Sequence, residues 1–169
     1  MSESSAVRTR PGFIVVGILL AVIMLALLLW IRSGPAALPI DELAKQLRQG
    51  TPTQRATAAE GLGKLGNPQA VDPLTAALKD KEWTVRRAAA ASLCELGDGR
   101  ALGPLTEALG DENAWVRIAA TQGLAKIGDK SSIKAIEKMV KQEKARPKKK
   151  KNPQVLATAE KAIAELKSR

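Results

Sequence analysis

Histidine and tyrosine are absent from this sequence, and cysteine and phenylalanine occur once each, as Cys94 and Phe13. A single cysteine excludes a disulfide within the chain. Without histidine, no imidazole can activate Ser92 or Cys94 as a nucleophile. The scarcity of aromatics leaves Ala, Leu, Val and Ile to build a core, and these residues suit closely packed helices better than a sheet. We therefore expect an all-α fold without enzymatic activity and without a catalytic, cofactor-binding or metal site.

Charge is distributed unevenly along the chain. The formal net charge is +10, but residues 33–129 contain 11 Lys or Arg and 12 Asp or Glu, which nearly cancel. Residues 130–169 contain 13 basic and 4 acidic residues. The C-terminal end is therefore strongly basic, and this asymmetry suggests an anionic partner for it.

Charged and polar side chains, and proline, are missing altogether from residues 13–31. A helix of this length spans about 28 Å, close to the thickness of about 30 Å of the hydrocarbon core of a bilayer. It would be apolar on every face, unlike a helix at the surface of a soluble domain. The segment predicts an uncleaved transmembrane helix. The alternative is a cleaved signal peptide, although the apolar run is longer than the about 7–15 residues usual in such signals.

Short segments flank this predicted helix. Residues 1–12 are predicted to be a disordered tail, and residues 32–39 a linker stiffened by Pro35 and Pro39. Basic residues on the two sides nearly balance, but a long domain can cross a membrane regardless of charge. We expect a single-pass protein of the plasma or inner membrane, with the following domain on the outer side.

From Ile40 onward, residue types recur every 31 positions. The aligned columns include Leu62, Leu93 and Leu124; Leu74, Leu105 and Ile136; and Val85 and Val116. Apolar positions within a repeat follow three- and four-residue steps, which indicates helices. A glycine that tolerates positive φ follows each first helix, at Gly66, Gly97 and Gly128. Each repeat therefore predicts a longer helix, a glycine turn and a shorter helix.

The repeat is interrupted once, and its helix starts are marked by capping side chains. After Lys141 the register slips by eight residues, and the longer-helix pattern resumes at Val155. Residues 142–153 are thus predicted to be a basic insertion within a repeat domain covering residues 40–169. Thr51 precedes a proline and predicts a capping box with Gln54.

Two consecutive repeats share the same motif at each end of the longer helix. At its start, an Asp is followed after four intervening residues by Val-Arg. At its end, a Leu is followed after two intervening residues by Leu-Gly or Ile-Gly. The residues are Asp80, Val85, Arg86, Leu93, Leu96 and Gly97, then Asp111, Val116, Arg117, Leu124, Ile127 and Gly128. This pattern resembles HEAT-like repeats of the phycobilisome-lyase type over residues 40–167. The resemblance implies a short right-handed α-solenoid of about four helix pairs, which follows the predicted transmembrane helix.

In that family the Asp and Arg columns form a hydrogen-bonding ladder between repeats. The resemblance assigns this structural role to Arg55, Asp80, Arg86, Asp111 and Arg117, and implies that the shorter helices line the inner surface. Some relatives act on chromophores or hydroxylate a partner's side chain. The hydroxylases need histidine–acid metal pairs, which this chain lacks, and repeats alone do not establish a lyase. A lyase-like accessory factor stays a weaker alternative.

Two sets of candidate partner-binding residues follow from the repeat. Trp83 and Trp115 enter longer helices, where they either pack at a junction between repeats or anchor a protein partner. The columns expected on the inner surface differ between repeats and turn basic towards the C-terminus, which is typical of a binding face. The charged candidates on that face are Glu107, Lys134, Lys138 and Lys141.

The insertion contains four consecutive lysines, Lys148, Lys149, Lys150 and Lys151. They form a solvated loop, or they bind an anionic membrane surface or an acidic protein. Nucleic acid is less favoured, because no aromatic residues are interleaved to stack on bases. We therefore expect a membrane-anchored HEAT-repeat scaffold or adaptor that mediates protein–protein interaction. The alternative is a peripheral anionic-lipid or nucleic-acid binder acting through the basic end.

Overall fold

A computed structural model describes residues 40–169, which form eight α-helices and no strand. In chain order the helices are α1 (Ile40–Gln49), α2 (Pro52–Leu65), α3 (Val71–Ala77), α4 (Trp83–Leu96), α5 (Leu102–Ala108), α6 (Ala114–Ile127), α7 (Lys130–Ala145) and α8 (Pro153–Ser168). Short 3-10 helices, Pro68–Ala70 and Gly99–Ala101, lead into α3 and α5, and a third, Lys148–Lys150, lies between α7 and α8. The all-α fold is confirmed.

The predicted tail, transmembrane helix and linker, residues 1–12, 13–31 and 32–39, lie outside the described residues. Within residues 40–169, no helix is both long enough and apolar enough to cross a membrane.

The helices pack as four pairs. The first helices of the repeats, α2, α4, α6 and α8, pack side by side in chain order. Each second helix, α1, α3, α5 or α7, packs mainly against the first helix that follows it. One side of each second helix is therefore covered by a first helix, and the chain forms an α-solenoid of four helix pairs.

The aligned apolar columns form the core. Leu62, Leu93 and Leu124 in the first helices are completely buried. So are Leu74, Leu105 and Ile136 in the second helices. Each such side chain contributes about 1.5–3 kcal/mol through its removal from water. Equivalent positions of successive repeats thus face one continuous core, as their 31-residue spacing predicts.

The turns after the first helices are of two kinds. Gly66 and Gly97 have φ of 64° and 67°, the left-handed conformation predicted for them. Gly128 contradicts the prediction, because its backbone is extended, with φ of −76° and ψ of 172°. Asp129 caps α7 directly there, so the chain needs no left-handed residue. Space explains this glycine instead, since a Cβ would collide with the Leu124 carbonyl oxygen.

The last second helix is longer than predicted. α7 has 16 residues, against 14 in α6, so the order of a longer and a shorter helix is reversed in this repeat. The third residues of α3 and α5 are Pro73 and Pro104, and each of these helices is preceded by a 3-10 turn. The equivalent position in α7 is Ala135, so the whole segment continues as one α-helix.

The first helices α2 and α4 approach each other closely at Gly63. The hydroxyl of Ser92 donates to the carbonyl of Ala59 at 2.8 Å, and a Cβ added at Gly63 would lie 2.7 Å from the Ser92 Cβ. Ser92 thus joins two helices.

We call the four stacked helix pairs of residues 40–169 the array. We expect Gly63→Ala to destabilise the array by about 1 kcal/mol or more, because the added methyl group overpacks the contact between α2 and α4. Gly103→Ala is the matched control, since it is also helical but a Cβ there meets nothing within 4 Å. The control should be neutral or slightly stabilising through helix propensity. Thermal unfolding followed by circular dichroism measures both, and equal midpoints would contradict close packing at Gly63.

Candidate functional site

Arginine–carboxylate pairs connect the turns between repeats. Arg55 donates through Nε and Nη2 to the two carboxylate oxygens of Asp80, both at 2.7 Å. Arg86 makes the same two-pronged contact with Asp111, at 2.7 and 3.0 Å. Two parallel hydrogen bonds to an ionised carboxylate fix both orientation and distance. We call this row of contacts the ladder.

Each ladder arginine also binds the turn that precedes its own helix. Nη1 of Arg86 donates to the carbonyls of Asp80 and Lys81, at 2.8 and 3.0 Å. Nη1 of Arg117 donates equivalently to the carbonyls of Asp111 and Glu112. One guanidinium therefore holds two successive turns. The aspartates add to this by accepting the backbone N–H two residues further on.

The last rung ends on Glu143, a residue that the repeat pattern did not predict. The Asp column continues at Gln142, so the acid stands one residue later on a longer side chain. Glu143 accepts hydrogen bonds from Nη2 of Arg117 and from the backbone N–H of Asn152, both at 2.7 Å, and it forms an ion pair with Nε of Arg146 at 3.0 Å. The sequence did contain a signal for this role: Glu143 directly follows Gln142, which interrupts the Asp column, and Arg146 comes three residues later.

The last rung is buried more deeply and matched less well than the others. The side chains of Arg117 and Glu143 are only 2% and 1% exposed, against 9–14% for the first two pairs. Nε of Arg117 is buried without a hydrogen-bond partner. The equivalent nitrogens of Arg55 and Arg86 each bind an aspartate. At the C-terminal rung, a glutamate thus replaces the aspartate of the earlier rungs, and the arginine binds it through Nη2 alone instead of through Nε and Nη2.

The protonation of the ladder follows from its contacts. Burial alone would raise the pKa of Asp80, but hydrogen bonds from Arg55 and from the Glu82 amide outweigh burial and hold that pKa below its usual value. Burial lowers the pKa of Arg117, and Glu143 offsets part of this effect. Because its folded-state pKa is depressed, the stability that Asp80 contributes is present at neutral pH. This stability declines once the pH falls below the ordinary aspartate pKa, and it is lost as the pH falls through the depressed pKa of the folded state.

The uncovered side of the second helices carries the predicted charged candidates. Glu107, Lys134, Lys138 and Lys141 are all exposed. Glu107 lines two open depressions, one of about 460 Å³ between α3 and α5 and one of about 220 Å³ between α5 and α7. Lys138 lines the second of these, whereas Lys134 and Lys141 line neither. We call this surface the second-helix face.

A different surface brings together residues that the sequence analysis treated separately. Trp83 and Lys150 line one open depression of about 480 Å³ at the edge formed by the inter-repeat turns. Its other lining residues are Lys81, Glu112, Asn113 and Arg146. We call this surface the turn edge. The side chains of Trp115, Lys148, Lys149 and Lys151 are exposed, but they do not line this depression.

The lysines of the array are not engaged in ion pairs. All eight ion pairs within residues 40–169 are made by arginine, and none by lysine. The predicted lysine candidates therefore present unneutralised charge. In the same part of the chain, no group of three or more Cys, Asp or Glu side chains is placed to hold a metal ion. Cys94 is half-buried, and burial raises the pKa of its thiol.

Stacked helix pairs joined by a row of arginine–carboxylate contacts define an α-solenoid repeat protein. The sequence profile of HEAT repeats matches residues 40–106 and 85–150. The chain therefore belongs to the HEAT-repeat family. No curated protein sequence matches it.

Solved structures with the same fold include enzyme components and a designed chain. A chain in the complex of CpcE and CpcF of phycocyanin lyase from Nostoc sp. PCC7120 is 26% identical, with a TM-score of 0.61 over 80% of this chain and 67% of that one. Human deoxyhypusine hydroxylase is 25% identical, with a TM-score of 0.59 over 76% of this chain, which spans 43% of the hydroxylase chain. An engineered protein, 22% identical over 76% of this chain and 62% of its own with a TM-score of 0.55, shows the fold alone.

We expect Glu143→Gln to destabilise the array by about 3–5 kcal/mol, because it leaves the buried charge of Arg117 without a counter-charge. Glu112→Gln is the control, since Glu112 also pairs with a ladder arginine but its side chain is 87% exposed. That change should cost about 0–1 kcal/mol. Urea unfolding curves give both values, and similar losses in the two variants would show that burial does not govern the last rung.

Proposed function

We propose that this chain is a membrane-anchored scaffold that binds a protein partner on its second-helix face. The observation that carries the proposal is the contrast between the two sides of the second helices. The covered side repeats the same buried residues, Leu74, Leu105 and Ile136. The uncovered side differs from repeat to repeat and is grooved by depressions that meet at Glu107 and Gly110. In repeat proteins, variation confined to one face is typical of a binding surface.

The comparisons support a role in protein interaction without naming a partner. HEAT repeats are a scaffold architecture, and the similar chain from phycocyanin lyase is part of a complex of two proteins, CpcE and CpcF. A lyase-like accessory function has only that resemblance in its support. We therefore give protein binding precedence.

Tethering is the second part of the proposal. Residues 13–31 would hold the array beside a bilayer, and residues 32–39 would leave it only a short distance to move. The outer side of the plasma or inner membrane is the location we propose for the array. A tether of this kind raises the local concentration of the array for any partner in the same membrane.

A photo-cross-linking residue tests the binding face in the full-length chain. Placed at Lys138, it should cross-link a discrete partner in cells, because this position lines the second-helix face. The matched control is Lys161, an exposed lysine of the first helix α8, which should give no such product. Cross-linking at Lys161 equal to that at Lys138, or none at either, would contradict the proposed face.

Binding of anionic lipid headgroups by the four consecutive lysines between α7 and α8 is the second candidate function. The observation in its favour is that Lys148, Lys149, Lys150 and Lys151 are all exposed and make no ion pair within residues 40–169. Lysines near an anionic membrane contribute about 1 kcal/mol each to its binding.

Replacement of these four lysines by Gln should therefore weaken the binding of residues 33–169 to phosphatidylserine vesicles at low salt by about tenfold or more. Co-sedimentation measures this binding, with circular dichroism as the check that the array is folded. Exchange of Lys45, Lys64, Lys79 and Lys126 for Gln removes the same charge elsewhere and serves as control. Unchanged sedimentation of the first variant would remove the lipid function.

A further inference from the structure

The depression at the turn edge is assembled from three successive turns. Lys81 and Trp83 come from the α3–α4 turn and the start of α4, Glu112 and Asn113 from the α5–α6 turn, and Arg146 and Lys150 from the α7–α8 turn. The sequence separation from Lys81 to Lys150 exceeds two repeats. Only the stacking of the array brings these side chains together.

The ladder fixes the backbone beneath this depression. Arg86 binds the carbonyl of Lys81 at 3.0 Å and the carboxylate of Asp111 at 2.7 Å, so it joins the first turn to the second. Glu143 binds Arg146 and the amide of Asn152 and so holds the third turn. The lining residues are thus presented on a rigid frame. Such preorganisation lowers the entropy lost when a ligand binds.

The charge of the depression is unbalanced. Lys81 and Lys150 have no ion-pair partner within residues 40–169, and Arg146 has only the buried Glu143. The single exposed carboxylate in the lining, Glu112, is already paired with Arg86 at 3.2 Å. Three cationic side chains from two turns therefore line a depression that has few carboxylates to neutralise their charge.

An exposed apolar group lies among these cations. Trp83 is 38% exposed, although tryptophan side chains are highly buried on average. Trp and Arg are the residues most enriched among the hot spots of protein interfaces. The combination recognises a ligand that carries anionic groups beside an apolar group.

We propose that the turn edge is a second docking site, separate from the second-helix face, and that its ligand is an acidic peptide segment of a partner protein. A Leu or Phe of the segment packs on Trp83, and flanking carboxylates bind Lys81, Arg146 and Lys150. A flat bilayer reaches the floor of a depression poorly. Single-stranded nucleic acid needs several aromatic platforms, and Trp83 is the one aromatic residue in this lining.

Fluorescence anisotropy tests the site with the full-length chain in a neutral detergent. The probe is a fluorescein-labelled peptide with one central leucine flanked on both sides by Glu and Asp. We expect saturable binding that weakens about tenfold or more in Trp83→Ala and in Lys150→Glu, as for hot-spot residues. The affinity should also fall as salt is raised and the charges are screened. A peptide with serine in place of leucine should bind more weakly.

Matched controls separate this site from general surface effects. Trp115→Ala removes a tryptophan that is 43% exposed but lies outside the depression, and Lys64→Glu makes the same charge change at an exposed lysine of α2. Both should retain the affinity within about twofold, below the usual threshold for a hot spot. Circular dichroism confirms that each variant is folded.

The proposal is wrong if the peptide does not bind, or if the controls lose as much affinity as Trp83→Ala and Lys150→Glu. It is also wrong if phosphatidylserine vesicles or a single-stranded oligonucleotide bind in a Trp83-dependent manner while the peptide does not. Cross-linking at Lys138 reports on the second-helix face alone. Failure of the turn edge would therefore leave the proposed function intact, and the reverse also holds.

Discussion

This structure depends on arginine side chains that each form hydrogen bonds to two successive inter-repeat turns. Arg86 is the clearest case, because one guanidinium binds the carbonyls of the turn before its helix and the carboxylate of the turn after the next helix. The core of Ala and Leu supplies most of the stabilising free energy but little direction. The two-pronged hydrogen bonds of the ladder fix the relative position and orientation of neighbouring repeats. The shape of both proposed binding surfaces depends on that arrangement.

The end of the array shows how the same contact adapts to an irregular repeat. The α7–α8 connection is longer than the earlier ones, and Glu143 reaches from within α7 to bind Arg117 and the backbone of this connection. The C-terminal Arg169 then binds the carbonyls of Lys126 and Gly128 at the preceding turn. Glu143 therefore holds the α7–α8 connection against the preceding repeat, whereas Arg169 fixes the end of α8. This is why Lys150 can share a depression with Trp83.

Sequence periodicity predicts most of the fold, because each core column is a local consequence of helical spacing. The capping box of Thr51 and Gln54 and the left-handed Gly66 and Gly97 were predictable for the same reason. The conformation of Gly128 and the length of α7 were not, because Asp129 caps α7 directly and no proline at position 135 interrupts the helix. The depression joining Trp83 to Lys150 was also out of reach, because it depends on stacking across two repeats rather than on spacing within one.

A double-mutant cycle on one rung tests the central claim most directly. Unfolding free energies of the parent, Arg86→Met, Asp111→Asn and the double variant give the coupling energy between the two side chains. If the rung joins neighbouring repeats as described, the coupling energy is about 1 kcal/mol or more, and the double variant loses less than the sum of the single variants. Strict additivity would show that these side chains act independently, and the ladder would then not hold the array together.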